Sequence, residues 1–350
     1  MNPEISGLIE QVQRNCHIAD ARHGADYGLC TYLMKMREYY RWERGLPYGE
    51  PLDREAVGDW LSEREALWEG LAEEDYRPLT LGEHRLDPFD VEGVNLRIAD
   101  LGLAYSAGLV QSGRAQFFLV RLLEREEGDD GFRLWVGGQE LARGLHVPPA
   151  LLRGQDIFLR RDSLKQLLWE KYESWLWSRP DNALGRALAC YPFECDVALA
   201  LEQMTAREMQ VVRDHEIGEY RAGRLLGPGW EALLLRVLGT PAELMLRAVR
   251  DHLADCLVTL PRLLDDLGDG ASLHAYVGNL GHMRKALFPA LLAAYEDWRI
   301  DREPAALRRL VAQGRAHWQA VAEAALALDA RQPEGEIAGA LKTLIESRTL

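Results

Sequence analysis

The sequence lacks the features that mark membrane proteins, secreted proteins and zinc-thiolate proteins. No uncharged apolar run reaches the roughly 18 residues that a membrane-spanning helix needs. No basic segment followed by an apolar one stands at the start, so no secretory signal is recognised. The 5 cysteines are scattered over 350 residues without a CxxC pair, which predicts reduced thiols. We therefore expect a cytoplasmic protein.

Basic residues are also too few for a nucleic-acid or membrane-surface protein. Lys and Arg total 41 against 55 Asp and Glu, which gives a formal net charge of −14. Such a chain lacks the electrostatic attraction to phosphate that dominates binding to nucleic acids and to anionic lipid. Walker A, GxGxxG, GxSxG and HExxH motifs are missing too. The partners that remain are another protein or a small-molecule substrate.

Helical periodicity dominates both ends of the chain. Apolar residues recur at helical spacing from about 4 to 45, and Asp53 is placed to cap a second helix. From Asp162 onward the pattern returns, and prolines and glycines cut it into helices of ordinary length. The Ala- and Leu-rich stretch from Ala305 to Leu328 is typical of a bundle helix.

Between about 100 and 160 the pattern changes to short β-prone segments separated by glycines. Residues 116–120, 132–136 and 156–160 are such segments, and Gly128-Asp129-Asp130-Gly131 has the composition of a hairpin turn. We predict a mainly α protein with a small antiparallel β insertion near 100–160. Its expected regions are 1–160, helical with the small β subdomain, and 161–350, a helical, bundle-like domain.

The predicted first helix carries a polar face. Cys16, Asp20, His23, Tyr27 and Cys30 follow at i, i+4, i+7, i+11 and i+14, which is one face of a continuous helix. These residue types can bind a metal ion or relay a proton, and the carboxylate before the histidine can fix its tautomer. The alternative is a hydrogen-bonded polar layer within a bundle.

The densest group of potential ligands lies in the C-terminal helices. His215 and Glu219 share a helix face at i and i+4 among small and apolar neighbours. Later helices offer Asp255 and His274. Buried carboxylates and imidazoles must be paired, protonated or bound to metal, and helix bundles build dimetal-carboxylate sites from such residues. We predict a metal site at His215, Glu219, Asp255 and His274.

Four further residues are candidates to support this site: Glu208, His252, Asp20 and His23. A mixed oxygen and nitrogen donor set is expected to hold Fe or Mn. The chain departs from the Glu-x-x-His pattern of ferritin-like proteins, because His215 precedes Glu219. A structural polar network is the alternative, and no catalytic residue is assigned.

Several segments resemble a group of bacterial proteins of unknown function. They are residues 16–42 and 215–223, Tyr105-Ser106-Ala107-Gly108 and Phe117-Phe118-Leu119. The resemblance spans most of the chain and carries no known activity, so it implies no site residue. The Asp214-His215 pair is also similar to that of helical maturation chaperones for molybdenum enzymes. Their motif has Glu-Pro upstream, where this chain has Val211-Val212-Arg213.

Two hypotheses of function follow from the sequence. The first is a metal-dependent oxidoreductase with a dimetal-carboxylate-like site, because histidines and carboxylates recur on several apolar helices. The second is a non-catalytic assembly, chaperone or protein-binding module, whose 10 tryptophans form its core and its interaction surface. Metal content and the effect of His215→Ala would distinguish the two.

Overall fold

The computed structural model describes residues 3–109, 113–331 and 335–350. The chain divides into two compact units, of which the first comprises Met1–Leu151, Phe158–Lys171 and Glu194–Thr205. The second comprises Leu152–Ile157, Tyr172–Phe193 and Ala206–Leu350. No helix within the described ranges is long and apolar enough to cross a membrane. The predicted division into 1–160 and 161–350 stays a prediction.

Among the described residues, four α-helices lie wholly within the first unit. They are α1 (Pro3–His23), α2 (Leu29–Glu43), α3 (Arg54–Glu69) and α4 (Val91–Ile98). Asp53 caps α3 as expected, because its side chain accepts a hydrogen bond from the amide of Ala56. The predicted continuous helix from 4 to 45 is broken by a 3₁₀ turn at Gly24–Asp26 and by extended backbone at Gly28. The five polar residues of that segment therefore do not share one helix face.

In the part of the chain that the structure describes, seven strands form two sheets. The strands are β1 (Leu79–Leu81), β2 (His84–Leu86), β3 (Leu103–Leu109), β4 (Ala115–Glu127), β5 (Arg133–Arg143), β6 (Ala150–Arg153) and β7 (Asp156–Arg160). β1 and β2 pair as a separate two-stranded sheet, and the five-stranded sheet has the order β3-β4-β5-β7-β6. The pairs β3–β4 and β4–β5 are antiparallel, and the predicted Gly128–Gly131 turn joins β4 to β5.

The prediction of a mainly α fold with a small β insertion is wrong. β4 and β5 span 13 and 11 residues, and a second sheet lies outside the predicted insertion. The first six residues of β4 are all buried, because α1 packs on β4 and β5. That burial conceals the polar–apolar alternation of a half-exposed strand. The sheet is a major part of the first unit's core, to which β4 contributes the buried side chains of Phe117, Phe118 and Leu119.

The rest of the chain is helical apart from its connections. The helices are α5 (Arg161–Leu176), α6 (Ala183–Leu188), α7 (Val197–Leu226), α8 (Pro228–Arg236), α9 (Pro241–Ala254), α10 (Leu260–Asp265), α11 (Ala271–Asn279), α12 (His282–Leu287), α13 (Pro289–Asp301), α14 (Ala305–Asp329) and α15 (Ile337–Glu346). In the second unit, α9 packs on α14 and α15 around the buried side chains of Leu253 and Trp318. α14 matches the predicted helix from Ala305 to Leu328.

Candidate functional site

Two helices of the second unit bring the candidate site together. His215 and Glu219 lie on α7, Asp251 lies on α9, and Asp255 follows the end of α9. Between the two α7 residues, Gly218 faces the backbone of α9 so closely that a β-carbon there would stand 2.5 Å from the carbonyl oxygen of Ala254. The missing side chain therefore allows the close helix contact that places the polar groups side by side.

A π turn at Asp255–Thr259 follows α9 directly and leads into α10. Pro261 stands in the first turn of α10 and has no amide hydrogen, so it cannot complete the regular hydrogen-bond ladder. One wide turn in a helix accommodates such an interruption, and wide turns of this kind are frequent at functional sites. It is Asp255, the first residue of this turn, that contacts His215.

Asp255 is fully buried and has a partner on every side. One carboxylate oxygen lies 2.8 Å from Nδ1 of His215 and accepts a hydrogen bond of 2.9 Å from the hydroxyl of Thr259. The other accepts a hydrogen bond of 2.6 Å from the Tyr276 hydroxyl and pairs with Arg284. Burial raises the pKa of Asp255, but Arg284 and His215 more than offset it, so that the pKa lies well below its ordinary value.

Three ligand-type atoms converge next to this buried pair. Ligand atoms of His215, Glu219 and Asp251 all lie within 4.8 Å of one another, with Nε2 of His215 3.6 Å from Oε1 of Glu219. Their side chains are 26, 16 and 23% exposed, so that the group is reachable from solvent. We call His215, Glu219 and Asp251 the ligand trio.

Arg250 and Glu216 complete the charges around the ligand trio. Arg250 lies 3.0 Å from Glu219 and 3.9 Å from Asp251. Burial and the charge of Glu219 raise the pKa of Glu216 to about 8, and burial raises that of Asp251 to about 6. Although burial lowers the pKa of His215, the charge of Asp255 and its hydrogen bond raise it to about 10. Without a bound metal ion, the imidazole is therefore protonated near neutral pH.

The structure brings three of the four predicted ligands together: Asp255 lies 2.8 Å from Nδ1 of His215, and Glu219 lies 3.6 Å from its Nε2. His215 and Glu219 belong to the ligand trio, whereas Asp255 contacts His215 from behind. The ring of His274 is elsewhere, with Nδ1 2.7 Å from the hydroxyl of Tyr295. Asp251 also belongs to the site, although it was not among the ligands predicted from the sequence. Its signal was the i, i+4 spacing to Asp255, which repeats that of His215 and Glu219.

The residues predicted to support the site have other surroundings. Glu208 accepts a hydrogen bond of 2.8 Å from Ser272, and burial raises its pKa to about 7. His252 donates from Nε2 to the carbonyl of Arg284 at 3.0 Å and stacks on Trp318. In the first unit, Asp20 accepts from the amide of Leu145, and His23 lies 3.3 Å from Asp26.

Two family models together match almost the whole chain. The N-terminal domain model of a family of unknown function (DUF6866) matches residues 7–160, and its C-terminal domain model matches residues 165–348. No curated protein and no solved structure matches the chain. The predicted kinship with proteins of unknown function is thus confirmed.

Proposed function

We propose that this chain, which belongs to the family of unknown function DUF6866, is a metal-dependent enzyme that binds a divalent transition-metal ion at the ligand trio. The observation that carries the proposal is the orientation of His215. Its Nδ1 is engaged by the buried Asp255, and its Nε2 lies beside Glu219. Histidines that bind metal almost always donate their other ring N–H to a carboxylate, a carbonyl or water.

The charges of the site favour a cation. Glu216, Glu219 and Asp251 place three carboxyl groups near the guanidinium of Arg250, while Arg284 acts on Asp251 as well as on Asp255, and burial raises the pKa values of Glu216 and Asp251. A metal ion would neutralise this excess as the carboxyl groups ionise. The charge of Asp255 is already balanced by Arg284. Asp255 therefore orients His215 through Nδ1, and the metal ion is bound by the trio.

Arg250 has an alternative partner when Glu219 turns to a metal ion. Its other terminal nitrogen lies 3.6 Å from Glu231, whose side chain is largely exposed. A small rotation can therefore keep the guanidinium paired while it leaves the carboxylate of Glu219. The site needs no new unpaired charge in order to bind a cation.

The donor set of one imidazole and two carboxylates suits Fe²⁺ or Mn²⁺ and does not suit soft ions such as Cu⁺. Three protein ligands leave coordination positions open for a substrate or an oxidant. The trio supplies the ligands for one ion, so we propose a mononuclear centre. The oxidative reaction predicted from the sequence stays a prediction.

The test is a metal titration of untagged protein that has been stripped with a chelator. We expect calorimetry with MnCl₂, and with Fe²⁺ under anaerobic conditions, to give one ion per chain. Asp251→Asn should weaken binding by more than the roughly 10- to 100-fold that loss of an outer-shell partner costs. Asp214→Asn is the matched control, because Asp214 is next to His215 but pairs with Arg262.

Absence of binding would identify the trio and Arg250 as a structural ion-pair network. Equal weakening of binding by Asp214→Asn and Asp251→Asn would contradict binding at the trio. Purified protein that contains only traces of Fe, Mn and Zn would also contradict the proposed metal site. The predicted alternative, a non-catalytic assembly or binding module, would then be the hypothesis to pursue by affinity purification of partners.

A further inference from the structure

A cavity of about 730 Å³ lies in the first unit, and none of its lining residues belongs to the ligand trio. Its walls come from α1, from the end of α2 and the loop after it, from β4 and β5, and from the first turns of α5 and α7. Clefts of about 300–1,000 Å³ are the usual size of small-molecule sites. The volume is far larger than a single inorganic ion needs.

Basic side chains outnumber acidic ones along this cavity, in a protein whose net charge is −14. The basic lining residues are Arg41, Arg121, Arg143 and Lys165, and the acidic ones are Glu43, Glu140 and Asp162. Most of these charges already have partners: Glu43 pairs with Arg64, Arg41 with Glu38 and Lys165 with Glu202, while Glu140 is shared by Arg143 and Arg160. The charges left over are those of Arg121 and of the second guanidinium on Glu140, against Asp162 alone. The lining therefore favours an anion over a cation.

The pair of guanidiniums on Glu140 is deeply buried. Glu140, Arg143 and Arg160 are at most 3% exposed, so two buried positive charges share one carboxylate. Burial raises the pKa of Glu140, but Arg160 and Arg143 more than offset this and hold it below its ordinary value. Burial and the charge of Arg143 lower the pKa of Arg160, although Glu140 acts in the opposite direction. An anion in the cavity would complete the balance.

Arg143 also has a hydrogen-bond donor to spare. Its Nη1 donates to Glu140 at 3.2 Å and to Gln166 at 2.7 Å, and its Nη2 reaches the carbonyl of Glu38. Its Nε is buried and meets no acceptor among the described residues. Buried donors are nearly always satisfied, so an unsatisfied one in a cavity wall points to a ligand with acceptor atoms.

The remaining cations and rings suit an anion that is attached to an organic group. Arg121, on β4, is exposed and forms no ion pair with any described residue. Trp42 and Tyr48 also line the cavity, and the guanidinium of Arg143 lies 4.8 Å from the centre of the Trp42 ring. Guanidiniums bind carboxylates and phosphates in a bidentate manner, and the rings offer apolar surface.

We propose that this cavity binds a small organic anion, a carboxylate or phosphate carried on an apolar or aromatic group, with Arg121 and Arg143 as the residues that recognise the charged end. Arg121 lies at the exposed edge of the cavity and Arg143 in its buried wall. The site is separate from the metal proposal, since none of its lining residues belongs to the second unit.

The test is calorimetry on the full chain with three probes: phenyl phosphate, benzoate and the neutral benzyl alcohol. We expect at least one anionic probe to bind saturably with a dissociation constant below about 1 mM, and benzyl alcohol to bind at least about tenfold more weakly. Arg121→Gln should weaken the anion at least about tenfold, the scale of one charge-assisted hydrogen bond. Arg125→Gln is the matched control, because it lies on the same strand outside the cavity.

Two results would overturn the proposal. One is the absence of saturable binding for both anions at probe concentrations of up to about 10 mM. The other is equal affinity of Arg121→Gln and Arg125→Gln for the anion, which would show that the anion does not bind in the cavity. Asp251→Asn should bind the anion like the wild type, so a failure of the metal site is distinguishable from a failure here.

Discussion

Asp255 is the residue on which the candidate site depends most for its stability. It is fully buried and compensates the charges of His215 and Arg284. Asp255→Asn leaves both cations partly buried without their counter-charge, and breaking such a pair costs about 3–5 kcal/mol. We expect a loss of that size in the free energy of unfolding, measured by urea denaturation near pH 6. Asp265→Asn removes an exposed partner of Arg308 and should cost less than about 1 kcal/mol.

The pH dependence of that loss has a definite sign. The pKa of Asp255 lies below its ordinary value of 3.8, so its contribution is present above about pH 4 and is lost in acid. The pKa of His215 is raised from 6.5 to about 10, so its contribution is complete below pH 6.5 and disappears as the pH rises through 10. The difference between wild type and Asp255→Asn should therefore be largest between about pH 4 and 6.5. A difference that kept growing up to pH 10 would contradict the assigned pairing.

For Glu208 we predict the opposite dependence of stability on pH. Burial raises its pKa from 4.5 to about 7, so the folded protein retains a proton that the unfolded chain has lost. This residue therefore makes stability fall as the pH rises from 4.5 to 7. Glu208→Gln imitates the protonated acid, and it should be more stable than the wild type by about 2–3 kcal/mol at pH 8 but equal to it at pH 4. The exposed Glu63→Gln should show no such change in urea denaturation.

Individual residues of the site were only partly predictable from the sequence. The i, i+4 spacing of His215 and Glu219 defines one helix face by itself, so their proximity could be foreseen. The contribution of α9 and the turn after it could not be predicted in this way. Asp251 and Asp255 are four residues apart, and their spacing does not tell which of them pairs with Nδ1 of His215 and which joins Glu219. Arg284 and Tyr276 come from other helices, and no local pattern connects them with Asp255.

At the scale of helices, the contact of α7 with α9 rests on Gly218. A β-carbon at this position would lie 2.5 Å from the Ala254 carbonyl oxygen, and backbone cannot move aside cheaply. We expect Gly218→Ala to lower the free energy of unfolding by about 1–3 kcal/mol. The variant should also lose metal affinity, because the helices that carry the ligand trio must move apart. Urea denaturation and metal calorimetry measure the two effects.

Gly223→Ala provides the control on the same helix. A β-carbon there meets nothing within 4 Å, so alanine gains helix propensity without a clash. It should be neutral or stabilise the protein by about 0.5–1 kcal/mol. If Gly218→Ala behaved like Gly223→Ala, the close approach of the two helices would not be what holds the site together.

Caps and turns of secondary structure could be predicted from neighbouring residues, whereas interruptions that depend on tertiary packing could not. The Asp53 cap and the Gly128–Gly131 turn were predictable, because each is decided by residues within a few positions. The π turn at Asp255–Thr259 was not, although Pro261 marks an interruption, since a proline does not tell how the preceding turn adjusts. The break at Gly24–Asp26 is similar: the glycines weaken a helix, and only packing decides whether it continues.

At the scale of the whole molecule, the main error of the sequence-based prediction was the fold class. The strand-like segments between 116 and 160 were recognised, but their extent was underestimated and the pair β1–β2 was not foreseen. β3 contains two alanines, a serine and a glycine, which carry little strand propensity. Its place beside β4 depends on pairing between distant residues, and this pairing leaves no periodic trace in the sequence.

The net charge of −14 leads to a prediction about the size of the anions that the protein binds. A polyanion such as duplex DNA interacts with the field of the whole surface, which repels it, and it cannot enter a cavity of about 730 Å³. A small anion interacts chiefly with Arg121 and Arg143 at short range. We therefore expect at least one of phenyl phosphate and benzoate to bind in calorimetry, and fluorescently labelled duplex DNA not to bind in anisotropy measurements at about 150 mM salt. DNA binding tighter than about 1 µM that weakens steeply with salt would mean that a basic surface outweighs the overall charge.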